Sequence, residues 1–128
     1  MTTFTLDISR FIERTELAAD VVIRKVCLDL FSDITMNTPV DTGRARANWF
    51  ATIGAPSSTT VEYSGSPASA GQGAIGDAAV AVSRATGNIF WISNNLPYIY
   101  RLEFEGWSNQ APNGMVRLAI DRAERAMR

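Results

Sequence analysis

The hydrophobic pattern of the first third of the chain predicts one long helix. Over residues 7–37, apolar side chains recur at steps of three and four, and most charged residues lie off that stripe. A break near Thr15 is compatible with the pattern, and Pro39 ends the helix because the residue before a proline disfavours helical geometry. The stripe consists of Ile8, Phe11, Ile12, Ala19, Val22, Ile23, Val26, Cys27, Leu30, Phe31 and Ile34.

Short apolar runs in the middle of the chain predict a small antiparallel sheet. Residues 49–53 and 59–63 have the composition and spacing of strands, and the intervening Pro56 marks a turn, so we expect them to form a hairpin. Residues 89–92 form a short apolar run bounded by asparagines, which is typical of a buried strand. We expect this third strand to join the same sheet.

The second half of the chain predicts shorter helices and one loop. A helix over residues 98–104 follows Pro97, and a last helix over residues 115–127 is expected to be capped by Asn113. Residues 78–85 are a further candidate helix.

Residues 64–76 (SGSPASAGQGAIG) are small, uncharged and rich in Gly and Ser, which predicts a flexible loop. Residues 1–128 are therefore expected to form a single α+β domain. Its long N-terminal helix and its C-terminal helix would pack on the small antiparallel β-sheet.

Aromatic side chains concentrate in residues 88–114, which hold two of the three tryptophans, two of the three tyrosines and two of the six phenylalanines. So much aromatic surface on one segment indicates either the centre of the core or a docking surface. We expect about two of Tyr98, Tyr100, Phe104 and Trp107 to lie in the core and the others at a subunit seam.

The chain offers little chemistry for catalysis. It has no histidine, and its one cysteine, Cys27, lies on the apolar stripe of the first helix, so we expect an inert core thiol. Residues 71–76 match G-x-G-x-x-G but follow a predicted loop instead of the strand that a dinucleotide site requires. Glu103 and Glu105 are two residues apart, on different faces of a helix, and so make a poor acid–base pair. We expect no enzyme activity, no cofactor and no metal.

The charge pattern adds one alternative. The formal net charge is −1, which gives no global attraction to nucleic acid or membranes. No apolar run is long enough to cross a bilayer and no leader pattern is visible, so we expect a soluble protein made in the cytosol. Four arginines would form either interface ion pairs or a basic face for DNA phosphates, namely Arg44, Arg46, Arg84 and Arg101. The second case leaves a small DNA-contacting accessory protein as an alternative function.

Two segments together resemble a known family. Residues 38–44 (TPVDTGR) directly follow the long helix, and residues 92–103 (ISNNLPYIYRLE) precede the short final helix. The first segment looks like the P-V-D-T-G-R signature of the tail-completion, or neck, proteins of long-tailed bacteriophages, and the second is similar to another segment of that family. The order and spacing of both agree with the family over most of the chain.

The resemblance implies a structural virion protein at the junction between head and tail, present in the host cytoplasm during assembly. Its partners would be copies of itself in a hexamer or related ring, together with neighbouring head-connector and tail proteins. DNA would pass through the ring without sequence-specific binding, and no membrane would be involved. A tail terminator or a head-closure ring protein is the alternative within virion assembly.

The candidate site residues follow from this interpretation. Pro39, Asp41, Thr42 and Gly43 are expected to form a structural turn, in which Asp41 or Thr42 holds the backbone and fixes the long helix against the sheet. The expected interface residues are Arg44, Arg46, Tyr98, Tyr100, Arg101, Glu103 and Trp107.

Overall fold

A computed structural model describes residues 3–83 and 89–128 of the chain. These residues form an α+β fold, as predicted. The helices are α1 (Ser9–Thr15), α2 (Ala19–Met36), α3 (Arg44–Ala47), α4 (Ala70–Ser83), α5 (Ile99–Phe104) and α6 (Val116–Ala126). The strands are β1 (Phe50–Ile53) and β2 (Phe90–Ser93), and a 3₁₀ turn over Pro67–Ser69 leads into α4.

The N-terminal helical region is divided at Glu16. This residue has a φ of 58° and a ψ of 10°, a left-handed conformation that a right-handed helix cannot include. The predicted break near Thr15 is therefore confirmed. The two parts differ in their role, because α2 buries Val22, Cys27, Phe31 and Ile34 in the core, whereas α1 contributes no buried residue.

The sheet pairs β1 with β2 in antiparallel register, with Phe50 opposite Ser93 and Ile53 opposite Phe90. One further backbone bond continues the pairing, from the N–H of Gly54 to the carbonyl of Ile89 at 2.9 Å. The strand predicted around residues 89–92 is thus confirmed. The sheet joins two segments that are distant in sequence and have α4 between them.

The predicted hairpin between residues 49–53 and 59–63 is wrong. The backbone of Val61 is held by the side chain of Asn48, whose Oδ1 accepts from the Val61 N–H at 2.8 Å and whose Nδ2 donates to the Val61 carbonyl at 3.0 Å. Asn95 Nδ2 donates to the carbonyls of Ser57 and Thr59 at 2.8 and 3.2 Å. Because these amides satisfy the backbone, the segment lies extended without a strand partner.

The loop predicted over residues 64–76 is also wrong, because α4 begins at Ala70 and includes all of the glycine motif. Ala70, Ala74 and Ala78 are buried at helical spacing. A Cβ at Gly71 would lie 3.0 Å from Met36 Sδ, so the missing side chain lets α4 approach the end of α2 closely. A 3₁₀ turn precedes the motif, not the strand that a dinucleotide site requires. The predicted end of this helix, at residue 85, lies outside the described residues.

The core lies where α4 packs against both α2 and β1, and α6 packs against α2. Its most deeply buried members include Phe31, Val82, Met115 and Ala119. On α6, the inward residue is Ala119, whereas Leu118 is exposed. This arrangement leaves α5 and the segment after it at the edge of the core, where the candidate site lies.

Candidate interaction site

The turn after α2 is built around Gly43. This residue is buried and has a φ of 92°, in the left-handed region that favours glycine. A Cβ at this position would lie 2.9 Å from both Ala70 Cβ and Tyr63 Cε2, which is closer than carbon atoms pack. Gly43 therefore allows the turn to lie directly against the start of α4.

The other predicted turn residues divide between interior and surface. Pro39 is buried, whereas Asp41 and Thr42 are exposed. Thr42 Oγ1 accepts a hydrogen bond from the Arg44 N–H at 3.3 Å, so Thr42 holds the backbone at the start of α3. Of the two residues expected to hold the backbone of the turn, Thr42 makes this contact, to the N–H of Arg44.

The link between the long helix and the sheet comes from Thr38. Its hydroxyl donates to the carbonyl of Ile34 at 2.7 Å and accepts from Trp49 Nε1 at 2.9 Å. Thr38 and Trp49 are both buried, and Trp49 directly precedes β1. We expected Asp41 or Thr42 to fix the helix against the sheet, and this part of the prediction is corrected.

Arg46 is occupied within the chain. Its Nε donates to the carbonyl of Thr38 at 2.8 Å, and its Nη2 donates to the carbonyl of Met36 at 2.9 Å. These carbonyls lie at and just beyond the end of α2, where helical N–H donors run out. The assignment of Arg46 to an interface is therefore corrected, because its guanidinium caps α2.

The predicted basic face is balanced by carboxylates. Arg44 Nη2 lies 3.4 Å from Glu62 Oε1, and Arg101 Nε lies 4.0 Å from Glu105 Oε2. Arg84 lies outside the described residues. With Arg46 turned inward, the described arginines of this set do not present a continuous row of free charges to phosphates.

Glu103 is a buried cap of α6, only 5% exposed. Its Oε1 accepts from the backbone N–H groups of Met115 and Val116 at 2.9 and 2.6 Å. Its Oε2 accepts from the backbone N–H and from Nε of Arg117 at 3.3 and 2.9 Å. The carboxylate thus satisfies the first turn of the helix and complements its dipole. The assignment of Glu103 to an interface and of Asn113 as the cap of this helix are both corrected.

An exposed aromatic patch remains from the predicted interface, formed by Tyr100, Arg101 and Trp107. Tyr100 is 56% exposed and Trp107 is 58% exposed. The guanidinium carbon of Arg101 lies 5.4 Å from the centroid of the Trp107 ring, within cation–π distance. Tyr98 is half-buried beneath the patch, with its ring centroid 6.2 Å from that of Trp107.

Phe104 connects this patch to the N-terminal segment, a contact that sequence reasoning missed. Its ring centroid lies 4.7 Å from that of Tyr100 and 5.8 Å from that of Phe4, with an angle of 17° between the rings of Phe4 and Phe104. Phe104 is half-buried, so of the four residues Tyr98, Tyr100, Phe104 and Trp107, two are half-buried and two are exposed. Phe4 precedes the periodic stripe, and no local pattern points to this contact.

A mostly apolar cleft of about 830 Å³ opens beside the patch. Its walls come from α2, β2, α5 and α6, and the N-terminal residues 3–8 also line it. Sequence reasoning missed the cleft. The wide apolar stripe of α2 was interpreted as a surface that covers the sheet. Side chains of the walls include Ile23, Leu30, Trp91, Ile92, Ile99 and Ile120.

The reactive groups near this surface are few. Burial raises the pKa of the Cys27 thiol to about 11, so the thiol is protonated at neutral pH and unreactive. Across residues 3–83 and 89–128, no group of three or more His, Cys, Asp or Glu side chains is placed to hold a metal ion. In the same residues, no helix is both long and apolar enough to cross a membrane.

A hydrogen bond connects the second segment of the family resemblance, residues 92–103, to the residue that directly follows the first. Asn94 Nδ2 donates to the carbonyl of Ala45 at 3.0 Å, which joins the second segment to the short helix that follows the turn. Comparisons of the chain with known protein families, curated proteins and solved structures found no match.

Proposed function

We propose that this chain is a structural protein of the neck of a long-tailed bacteriophage. It completes the tail and joins the tail to the head as a ring around the DNA channel. The proposal starts from the resemblance of residues 38–44 and 92–103 to the neck family, and Asn94 of the second segment donates to the carbonyl of Ala45, the residue directly after the first.

The single observation that carries the proposal is the exposure of the aromatic patch. Tyr100 and Trp107 are both more than half exposed, Tyr100 lines the apolar cleft, and Arg101 packs on the Trp107 ring. Tyr, Trp and Arg are the residue types that most often dominate the binding energy of protein interfaces. A contiguous aromatic surface of this kind marks a site of interaction with another protein.

The charge of the chain is compatible with contact between identical copies. Its net charge is −1, so repulsion between copies is weak. A head-to-tail contact between identical copies closes into a ring when the rotation between them closes. The proposal of a hexamer or related ring rests on the family resemblance. Neighbouring head-connector and tail proteins would bind the faces of the ring.

The same contacts would serve a tail terminator or a head-closure ring, because these differ from a tail-completion protein in their neighbours. The DNA-contacting alternative is less well supported, since Arg46 caps α2 and Arg44 pairs with Glu62. Filter binding of duplex DNA at two salt concentrations tests it. Affinity that falls steeply with salt would favour phosphate contact over the neck proposal.

Immunogold labelling tests the location directly. An antibody against the purified chain should label the head–tail junction of virus particles produced from the genome that encodes it. Gold at the distal tip of the tail, or in the host cytoplasm without any on particles, would contradict the proposal. Particles that lack the chain should accumulate as separate heads and tails.

A further inference from the structure

Strand β2 has a free edge. The Gly54 N–H donates to the Ile89 carbonyl at 2.9 Å, in the register that pairs β1 with β2. Backbone groups of successive residues in a paired strand point to opposite edges, so the N–H and C=O groups of Phe90 and Ile92 point away from β1. Within the part of the chain that the structure describes, no hydrogen bond pairs these groups. Phe90 and Ile92 therefore present donors and acceptors to a further strand.

The apolar cleft runs along this edge. Phe90 and Ile92 pack against the core, whereas Trp91 and Ser93 point to the other face of the sheet, because side chains alternate along a strand. All of these residues line the same cleft. The opposite edge of β2 is occupied by β1, so a single cleft reaches both faces of β2 around the free edge. The unpaired backbone groups thus face the cleft.

The sequence of β2 does not protect the edge. From Ile89 to Leu96 the chain has no charged residue and no proline, and the register with β1 contains no bulge. Ile89 is also 60% exposed. Charges, prolines and bulges are the features by which edge strands avoid pairing with another chain. An uncharged apolar edge that borders a cleft is instead typical of a strand that pairs with a partner.

The described part of this chain offers no free strand as that partner. β1 and β2 pair with each other, and the side chains of Asn48 and Asn95 hold the backbone of residues 57–61. Residues 3–8 are a wall of the cleft and leave it open. The partner strand is therefore assigned to another protein.

The cleft defines the composition of the partner strand. The charged residues of its lining are Asp7 and Glu103, and Glu103 is occupied as the cap of α6. The volume of about 830 Å³ lies in the range of cavities that enclose a ligand. Tyr100 lines the cleft and belongs to the aromatic patch, so the two surfaces are continuous. The matching segment is uncharged, extended and apolar at alternate positions.

We infer that β2 and the cleft bind an extended segment of another protein by strand addition. The segment pairs its backbone with Phe90 and Ile92 and inserts alternate apolar side chains into the cleft. In this mode of recognition, main-chain hydrogen bonds supply affinity and pockets for alternate side chains supply specificity. The inference goes beyond the proposed function, because it assigns a contact that requires neither a ring nor the exposed side of the patch.

A peptide library tests the composition of the partner. The probe is a yeast-displayed library of random peptides of roughly ten residues, long enough to span the four residues of β2. Selection by the purified full-length chain should enrich sequences with apolar residues at every second position. Enrichment at helical spacing, or no enrichment, would overturn strand addition.

A matched pair of proline variants tests the edge. Ile92→Pro removes an N–H from the free edge of β2, and Ile53→Pro removes the corresponding N–H from the free edge of β1. Both residues are half-buried, and neither N–H belongs to the β1–β2 pair. Ile92→Pro should bind the selected peptide about tenfold or more weakly, and Ile53→Pro should bind it like the wild type. Equal affinities of the two folded variants would overturn the inference.

Amide exchange of the wild-type chain tests the edge without any substitution. In the free chain, the amides of Phe90 and Ile92 should exchange fast, whereas those of Trp91 and Ser93, which face β1, should exchange slowly. The selected peptide should slow exchange at Phe90 and Ile92 about tenfold or more. Unchanged exchange with the peptide bound would overturn strand addition. Protection that appears as the concentration of the chain alone rises would identify a second copy as the occupant and overturn the assignment to another protein.

The outcomes separate this inference from the proposed function. Amide protection by the peptide, in a protein whose antibody labels no virus particle, would support strand addition and contradict the neck proposal. Labelling of the head–tail junction without any protection at β2 would leave the neck proposal intact and overturn strand addition.

Discussion

The turn around Gly43 and the aromatic patch differ in the burial of their side chains, although Gly43 and Tyr100 both lie in the segments with the family resemblance. In the turn, Gly43 is buried against α4 and Arg46 donates to carbonyls of its own chain. In the patch, Tyr100 and Trp107 are exposed, and their rings lie against the half-buried Phe104 and Tyr98, respectively. Contacts within the chain thus account for the residues of the turn, whereas the proposed function assigns the exposed side of the patch to a subunit contact.

The same difference divides helix α5 itself. Leu102 and Glu103 face the core, and the neighbouring Tyr100 and Arg101 face solvent. Adjacent positions of this helix therefore divide between interior and surface, and the proposed function assigns contact to the exposed side. Substitutions on the two sides should have separable effects, and the following predictions test that separation.

The largest effect is expected at Glu103. Glu103→Ala removes the acceptor for the first N–H groups of α6 and the partner of Arg117. Because buried donors are left unsatisfied, the free energy of unfolding should fall by about 3 kcal/mol. Chemical denaturation followed by circular dichroism measures this loss.

Glu105→Ala is the matched control, since Glu105 is exposed and two residues away. Its effect should be within about 0.5 kcal/mol of zero. Equal losses for both variants would show that the Glu103 carboxylate does not act as a cap.

The turn predicts a second pair of variants. Gly43→Ala introduces a Cβ into left-handed backbone and against Ala70 and Tyr63. Gly54 also has a positive φ, of 81°, but nothing lies within 4 Å of its missing Cβ. Gly54→Ala should therefore destabilise the protein by about 1 kcal/mol from the backbone alone. Gly43→Ala should lower the free energy of unfolding by roughly 1–3 kcal/mol more than Gly54→Ala, because the added Cβ overpacks the site.

Thermal unfolding of the two glycine variants measures the difference. A Gly43→Ala protein no less stable than Gly54→Ala would mean that the turn does not pack closely on α4. The turn would then not differ from the exposed patch in how tightly its residues pack.

The pH dependence of stability that arises from the Cys27 thiol tests whether this side chain is buried in the core or open to the cleft. Burial raises the pKa of its thiol from 9.0 to about 11, so the folded state keeps this proton more tightly than the unfolded state. The tighter binding of this proton stabilises the folded state fully below pH 9, and this stabilisation is lost as the pH rises towards 11. The free energy of unfolding should therefore fall by an amount on the order of 2 kcal/mol.

Urea denaturation at pH values from 8 to 11 measures this slope, and Cys27→Ala is the control that removes it. A wild-type slope equal to that of Cys27→Ala would place the thiol in contact with the water of the cleft. Cys27 would then belong to the wall of the cleft and not to the core.

Sequence reasoning succeeded where large apolar side chains repeat locally. The stripe of α2, with Phe31 and Ile34 at its centre, indicates a buried helix because its spacing matches one helical face. It failed over the first half of α4, where the buried positions are Ala70, Gly71 and Ala74. Each glycine weakens a helix by about 1 kcal/mol, so this helix depends on close packing with α2.

The remaining misses involve contacts between distant residues. Glu103 caps a helix that begins more than ten residues later, and Asn48 holds the backbone of Val61 in place of a strand partner. Hydrophobic periodicity carries no information on such side-chain hydrogen bonds. The fold class was therefore predictable, whereas the division of the candidate site between interior and surface required the structure.

The most direct test compares the mass and the stability of the wild-type chain with those of Trp107→Ala in solution. Trp107 is 58% exposed, so its loss should change the free energy of unfolding by less than about 1 kcal/mol. Native mass spectrometry should show a ring for the wild-type chain and a folded monomer for Trp107→Ala. A variant that unfolds, or one that keeps the same ring, would contradict the assignment of the aromatic patch to a subunit contact.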